Sequence, residues 1–204
     1  MLRYNPDVAA PELDQYRQQF KDIEQQAKQL TAGLNEAEFN WRPAPQSWSI
    51  QECLAHLTMV GQWEVRALEK AVEEGRQKGL TGTGPFHYGM IDRYIVHQSG
   101  PPVRNAMPAT AHFVPLHGQP VTAVLPTFLH VQGQLLRLLD QAEGLDLRRV
   151  KVQTPISRFL RMSLGMMFAQ IAAHERRHLV QAQRVYDQLP KRDARASASP
   201  AAAH

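Results

Sequence analysis

The chain has 204 residues, 43% of them hydrophobic and 21% charged, the ordinary balance of a soluble protein long enough for one good-sized core. No apolar run approaches the roughly 20 residues a bilayer-spanning helix needs, and MLRYNPDVAAPELDQ lacks a charged-then-apolar leader layout, so neither a membrane nor secretion is expected. The net charge of +4 raises nucleic acid as a partner. The basic residues, however, are spread out in short groups such as Arg148, Arg149 and Lys151 rather than gathered with aromatics in a stripe, so no nucleic acid is expected.

A first helix is predicted from Pro11 to Leu34, where Leu13, Tyr16, Phe20, Ile23, Ala27, Leu30 and Leu34 alternate by threes and fours, the narrow seam of a bundle helix. After the turn Arg42-Pro43-Ala44-Pro45, Ser49 and Glu52 form a capping box, which assigns Glu52 a structural role. The helix it opens carries Ile50, Cys53, Leu54, Leu57, Val60 and Trp63 on its apolar side and runs to Gly75. Cys53 is the single cysteine, which excludes an internal disulfide, suits a cytoplasmic location and reads as an inert core thiol.

From Lys78 to Gln119 glycines and prolines break the pattern, and only Phe86 to Val96 predicts a short helix. A stretch this long inside a compact domain is either a lid or site wall, or a crossover covering one end of a bundle. A third long helix follows from Val121 to Glu143, with Pro126 in its first turns. The fourth covers Arg161 to Gln188 and places Met167, Ile171, His174, His178, Ala182 and Val185 on one stripe. No strand pattern of comparable strength is visible. The expected fold is therefore all-α, a four-helix bundle over residues 1–190, with the Ala- and Ser-rich tail 191–204 disordered.

His174 and His178 lie one turn apart on one face, at about 1.5 Å rise per residue. Two imidazoles on an apolar stripe both need partners, which favours metal ligation over a pair of core histidines. His56, on the core side of the second helix, is a candidate third ligand, leaving positions open for water or substrate. His87, His97, His112, His117 and His130 read as surface residues, although a loop histidine has the reach to approach the site mouth. The letters His174-Glu175-Arg176-Arg177-His178 also fit the zinc-peptidase pattern. That pattern needs a further ligand downstream; no Glu follows His178, Asp187 lies too far along the same helix, and both intervening positions are Arg. The match is read as coincidental.

Trp41-Arg42-Pro43-Ala44-Pro45 leading into Trp48-Ser49-Ile50-Gln51-Glu52-Cys53-Leu54-Ala55-His56-Leu57, followed far downstream by His174-Glu175-Arg176-Arg177-His178-Leu179-Val180-Gln181-Ala182, resembles the DinB-like family of metalloproteins, over roughly Leu13 to Leu189. The resemblance implies a four-helix bundle with a long crossover between its second and third helices. It also implies a divalent metal, zinc or nickel, held by His56, His174 and His178, and a homodimer. Characterised relatives include S-transferases that use low-molecular-weight thiols, a maleylpyruvate isomerase and metal-dependent hydrolases.

These readings lead to a metal-dependent enzyme acting on a small-molecule substrate, with thiol transfer favoured over hydrolysis and a non-enzymatic metal-binding stress protein as the rival. Activity is expected to fall on acidification as the imidazoles protonate. Glu175, rotated about 100° from His174, is either an acceptor for a ligand imidazole or one half of an ion pair. Gln181 is either an orienting partner or a surface residue. Arg177, Arg93 and Arg104 are candidate partners for the carboxylates of a thiol cofactor.

Overall fold

The computed structural model describes residues 11–102, 110–154 and 159–190. Its elements are α1 (Pro11–Thr31), a single turn α2 (Glu36–Phe39), α3 (Ile50–Gln77), α4 (Met90–Ser99), a 3₁₀ turn (Ala111–Phe113), α5 (Val121–Ala142), β1 (Lys151–Gln153), β2 (Arg161–Ser163) and α6 (Leu164–Tyr186). The protein is a helical bundle. Its long helices α1, α3, α5 and α6 pack on one another, with α3 and α1 each touching both α5 and α6, while α4 lies against α6.

The expected seam of α1 is buried along its length, from Leu13 through Tyr16, Phe20, Ile23 and Ala27 to Leu30. It meets Phe128, Leu135, Leu139 and Phe168 in a single apolar core. Gly61 allows α3 to approach α5 closely: a Cβ there would stand 2.7 Å from Val131 Cγ1, well inside contact distance. The α3 capping box forms, with Ser49 Oγ accepting from the Glu52 amide at 3.2 Å and Glu52 Oε2 accepting from the Ser49 amide at 2.9 Å. Arg42 adds a bidentate pair to the same carboxylate. Burial alone would raise the Glu52 pKa, but the Arg42 and Ser49 bonds hold it below its ordinary value.

Two helices begin later than the sequence expectation. The fourth long helix begins at Leu164 rather than Arg161, because Arg161–Ser163 pairs antiparallel with Lys151–Gln153. This hairpin buries Val152 and Met162 against the bundle. Each strand has three residues, too few for an alternating pattern to stand out in the sequence. The short crossover helix also sits later, at Met90–Ser99 instead of Phe86–Val96, since the Phe86 amide N–H is engaged outside any helix, donating to Glu12 Oε1 at 2.9 Å. The tail at 191–204, expected to be disordered, and Arg104 lie outside the described residues.

Candidate metal centre

The three predicted histidines meet. His56 comes from the first turns of α3 and His174 and His178 from the middle of α6. One ring nitrogen of each lies within 4.8 Å of the others. The ring centroids stand 4.7 Å (His56–His178), 4.8 Å (His174–His178) and 5.4 Å (His56–His174) apart, with planes inclined at 54°, 90° and 77°. The rings thus surround a common point instead of stacking on one another. His56 is 5% exposed, and His174 is partly exposed, so the cluster lies at the edge of the core.

Two of the imidazoles have their orientation set by hydrogen bonds. His56 Nδ1 lies 2.8 Å from the carbonyl oxygen of Phe113. A carbonyl only accepts, so Nδ1 carries the proton and Nε2 keeps its lone pair. His178 Nδ1 lies 3.1 Å from Gln181 Oε1, and the same reasoning leaves its Nε2 free. For these two rings this is the donor arrangement a metal favours: a neutral imidazole with its other nitrogen tied to an acceptor. Trp48 closes one side, its ring stacked on His178 at 5.7 Å and tilted over His56 at 4.9 Å.

The surroundings favour the neutral rings. Burial lowers the His56 pKa, partly opposed by the Phe113 bond. Burial together with the other two histidines and Arg177 takes His174 well below its ordinary value. His178 is pushed down to about 3 by burial, His56 and Arg177. An uncharged three-imidazole set with free lone pairs suits a borderline divalent ion such as zinc or nickel.

The crossover supplies the wall over this end of α3. Gln51 Nε2 donates to the Leu116 carbonyl at 3.1 Å, Asn40 Nδ2 to the Gln119 carbonyl at 3.2 Å, and the Gly118 amide to Asn40 Oδ1 at 3.0 Å. Both expected roles of the long connection therefore apply to its last part, which covers the bundle end and also orients a histidine. His117 stands 3.4 Å from Glu52 Oε2, outside the three-histidine cluster. His87, His97, His112 and His130 are exposed and are not part of the cluster.

A profile of the DinB superfamily matches residues 19–182, which contain all three histidines. The chain belongs to the DinB superfamily. Comparison with curated proteins and with solved structures gives no match.

In this DinB-superfamily protein Glu175 takes neither of the roles expected for it. It faces α5, where its Oε1 accepts from Gln132 Nε2 at 2.6 Å, and it is 2% exposed. The histidine pair and the carboxylate point in different directions because one residue turns the helix by about 100°. The peptidase reading loses its general base on this ground. Gln181 is an orienting partner for His178, and Cys53 is fully buried, its thiol pKa raised by burial and by Glu52. Arg177 lies close enough to the α6 histidines to depress both, whereas Arg93 is exposed on α4.

Sequence reasoning missed two features. The Phe113 carbonyl had no side-chain signal to find. Glu64 and Gln132 did have one: each interrupts an apolar stripe, at Leu57, Val60, Glu64, Leu68 and at Phe128, Gln132, Leu135, Leu139. Both are buried, and with Glu175 they form a polar junction among α3, α5 and α6.

Proposed function

We propose that this DinB-superfamily protein is a divalent-metal-dependent enzyme of the cytoplasm, acting on a small-molecule substrate by thiol transfer. The observation that carries the reading is the pair of bonds from His56 to Phe113 and from His178 to Gln181, which leave two Nε2 lone pairs beside His174. Histidines serving only as core residues need no such common focus.

His56, His174 and His178 would hold the ion, with zinc or nickel the metals that suit imidazole donors. When bound, the ion supplies Lewis acidity that makes a thiol or a water acidic enough to act as a nucleophile at neutral pH. The chain's own contribution is positional. Phe113 and Gln181 fix the ring tautomers, Trp48 excludes water from one side, and Arg177 places a positive charge near the α6 ligands, where an anionic thiol cofactor would be favoured. The homodimer and the low-molecular-weight thiol rest on family membership.

Elemental analysis of untagged protein tests the reading, followed by a screen of low-molecular-weight thiols against electrophiles. One divalent ion per chain is expected, with metal and activity both lost in His56→Ala while the helical signal persists. A chain that takes up no divalent ion would sink the proposal. A His56→Ala variant that unfolds would instead mark the metal as chiefly a structural staple.

A further inference from the structure

A cleft of about 910 Å³ lies between the start of the crossover and the hairpin, and nothing in the histidine centre involves it. Leu80, Met90 and Ile91 contribute its apolar lining, and Arg148, Arg149 and Lys151 its cationic lining. The cleft and the histidines sit at opposite ends of the bundle. From His56 to the end of α3 at Gln77 the chain climbs about 30 Å, and Leu80 follows directly.

Both linings are built on fixed backbone. The Asp146 amide donates to the Leu80 carbonyl at 2.8 Å, and the Gly82 amide to the Gly144 carbonyl at 3.1 Å. These bonds tie the chain after α3 to the turn before β1. Asp146 Oδ1 in turn accepts from the Arg148 and Arg149 amides at 3.0 and 2.9 Å. The acidic residue at the rim, Asp92, is engaged by Ser163, whose Oγ–H donates to its Oδ2.

The cations have no such engagement. Among the described residues, no carboxylate stands within ion-pair distance of Arg148, Arg149 or Lys151. Arg149 and Lys151 also share a smaller adjoining cavity with Lys78, Arg161 and Glu74, so here four cations face a single carboxylate. Beside them Met90 is 80% and Ile91 70% exposed. Large apolar side chains left in water next to unpaired cations form a surface with two chemistries, and a solvated charged face accounts for only one of them.

We propose that this cleft binds a small amphipathic anion, with a phosphate or carboxylate head held by Arg148, Arg149 and Lys151 and an apolar body laid on Leu80, Met90 and Ile91. Guanidinium groups favour such heads because their N–H donors match two oxygens at once. The apolar body removes the exposed Met90 and Ile91 side chains from water. The site is independent of the metal reading.

Decyl phosphate, kept below its micelle concentration, is the probe, titrated calorimetrically against the full chain. Saturation at one molecule per chain is expected. Affinity should fall roughly tenfold or more in Arg148→Ser/Arg149→Ser and again in Ile91→Ser, a change of at least about one order in Kd each. These residues are exposed, so the variants should keep the parent's circular dichroism. Inorganic phosphate should bind at least about tenfold more weakly, and His56→Ala should bind decyl phosphate like the parent. Absence of saturation, equal binding of inorganic phosphate, indifference to the variants, or binding seen only with vesicles of anionic lipid would each overturn the proposal.

Discussion

At the scale of single residues, the centre depends on which nitrogen of each imidazole keeps its lone pair. His178 owes its tautomer to Gln181, its acceptor at 3.1 Å and less than a turn away. Gln181→Leu is therefore expected to weaken divalent-metal affinity by about 10- to 100-fold, the range typical when the partner of a ligand histidine is removed. Gln181 is partly exposed, so the fold should be retained. Competition against a chromophoric chelator measures the change; an unaltered affinity would show that His178 needs no orienting partner.

Among elements, the junction of α3, α5 and α6 governs the pH response of the fold. Glu64 and Glu175 are both buried, and Glu64 is pushed up to about 8 from an ordinary 4.5, first by burial and then by Glu175. A carboxyl raised in the folded state favours the protonated form there, so its contribution to stability is complete below the unfolded value. It is lost as pH rises toward the folded value. The three histidines, held neutral in the folded metal-free chain, act in the opposite sense up to their ordinary value of 6.5, so the net decline should appear between about pH 6.5 and pH 8. Glu64→Gln keeps the shape of the neutral acid and should make this decline shallower, the remainder belonging to Glu175, which burial also raises to about 8, as thermal melts at several pH values would reveal. A parent chain equally stable across that window would contradict the assignment. Gln132 should donate to Glu175 in parent and variant alike, so the junction keeps its α5–α6 bond.

For the whole molecule, the core and the centre are largely separate. Phe20, Phe128, Phe168, Leu68, Leu135 and Leu139 are fully buried without reference to the histidines. Stripping the metal with a chelator should therefore lower the melting temperature by the lost binding free energy and leave the helical ellipticity at low temperature unchanged. Collapse of ellipticity on chelation would mean that the ion holds the bundle together.

Periodicity and capping are local, and for that reason the sequence alone determined the helices. The α1 seam, the Ser49–Glu52 cap and the one-turn spacing of His174 and His178 follow from rise and rotation per residue, which no distant contact alters. His56 was legible as a candidate because a polar ring on an apolar stripe stands out. The tertiary structure alone decided what each polar group faces. Glu175 and His174 are neighbours in the chain, yet they serve different interfaces. The Phe113 carbonyl that orients His56 carries no signature of residue type, and the hairpin is too short to announce itself. Hydrogen-bond partners depend on which helices lie side by side, and that is settled by burial of the apolar faces over the whole chain.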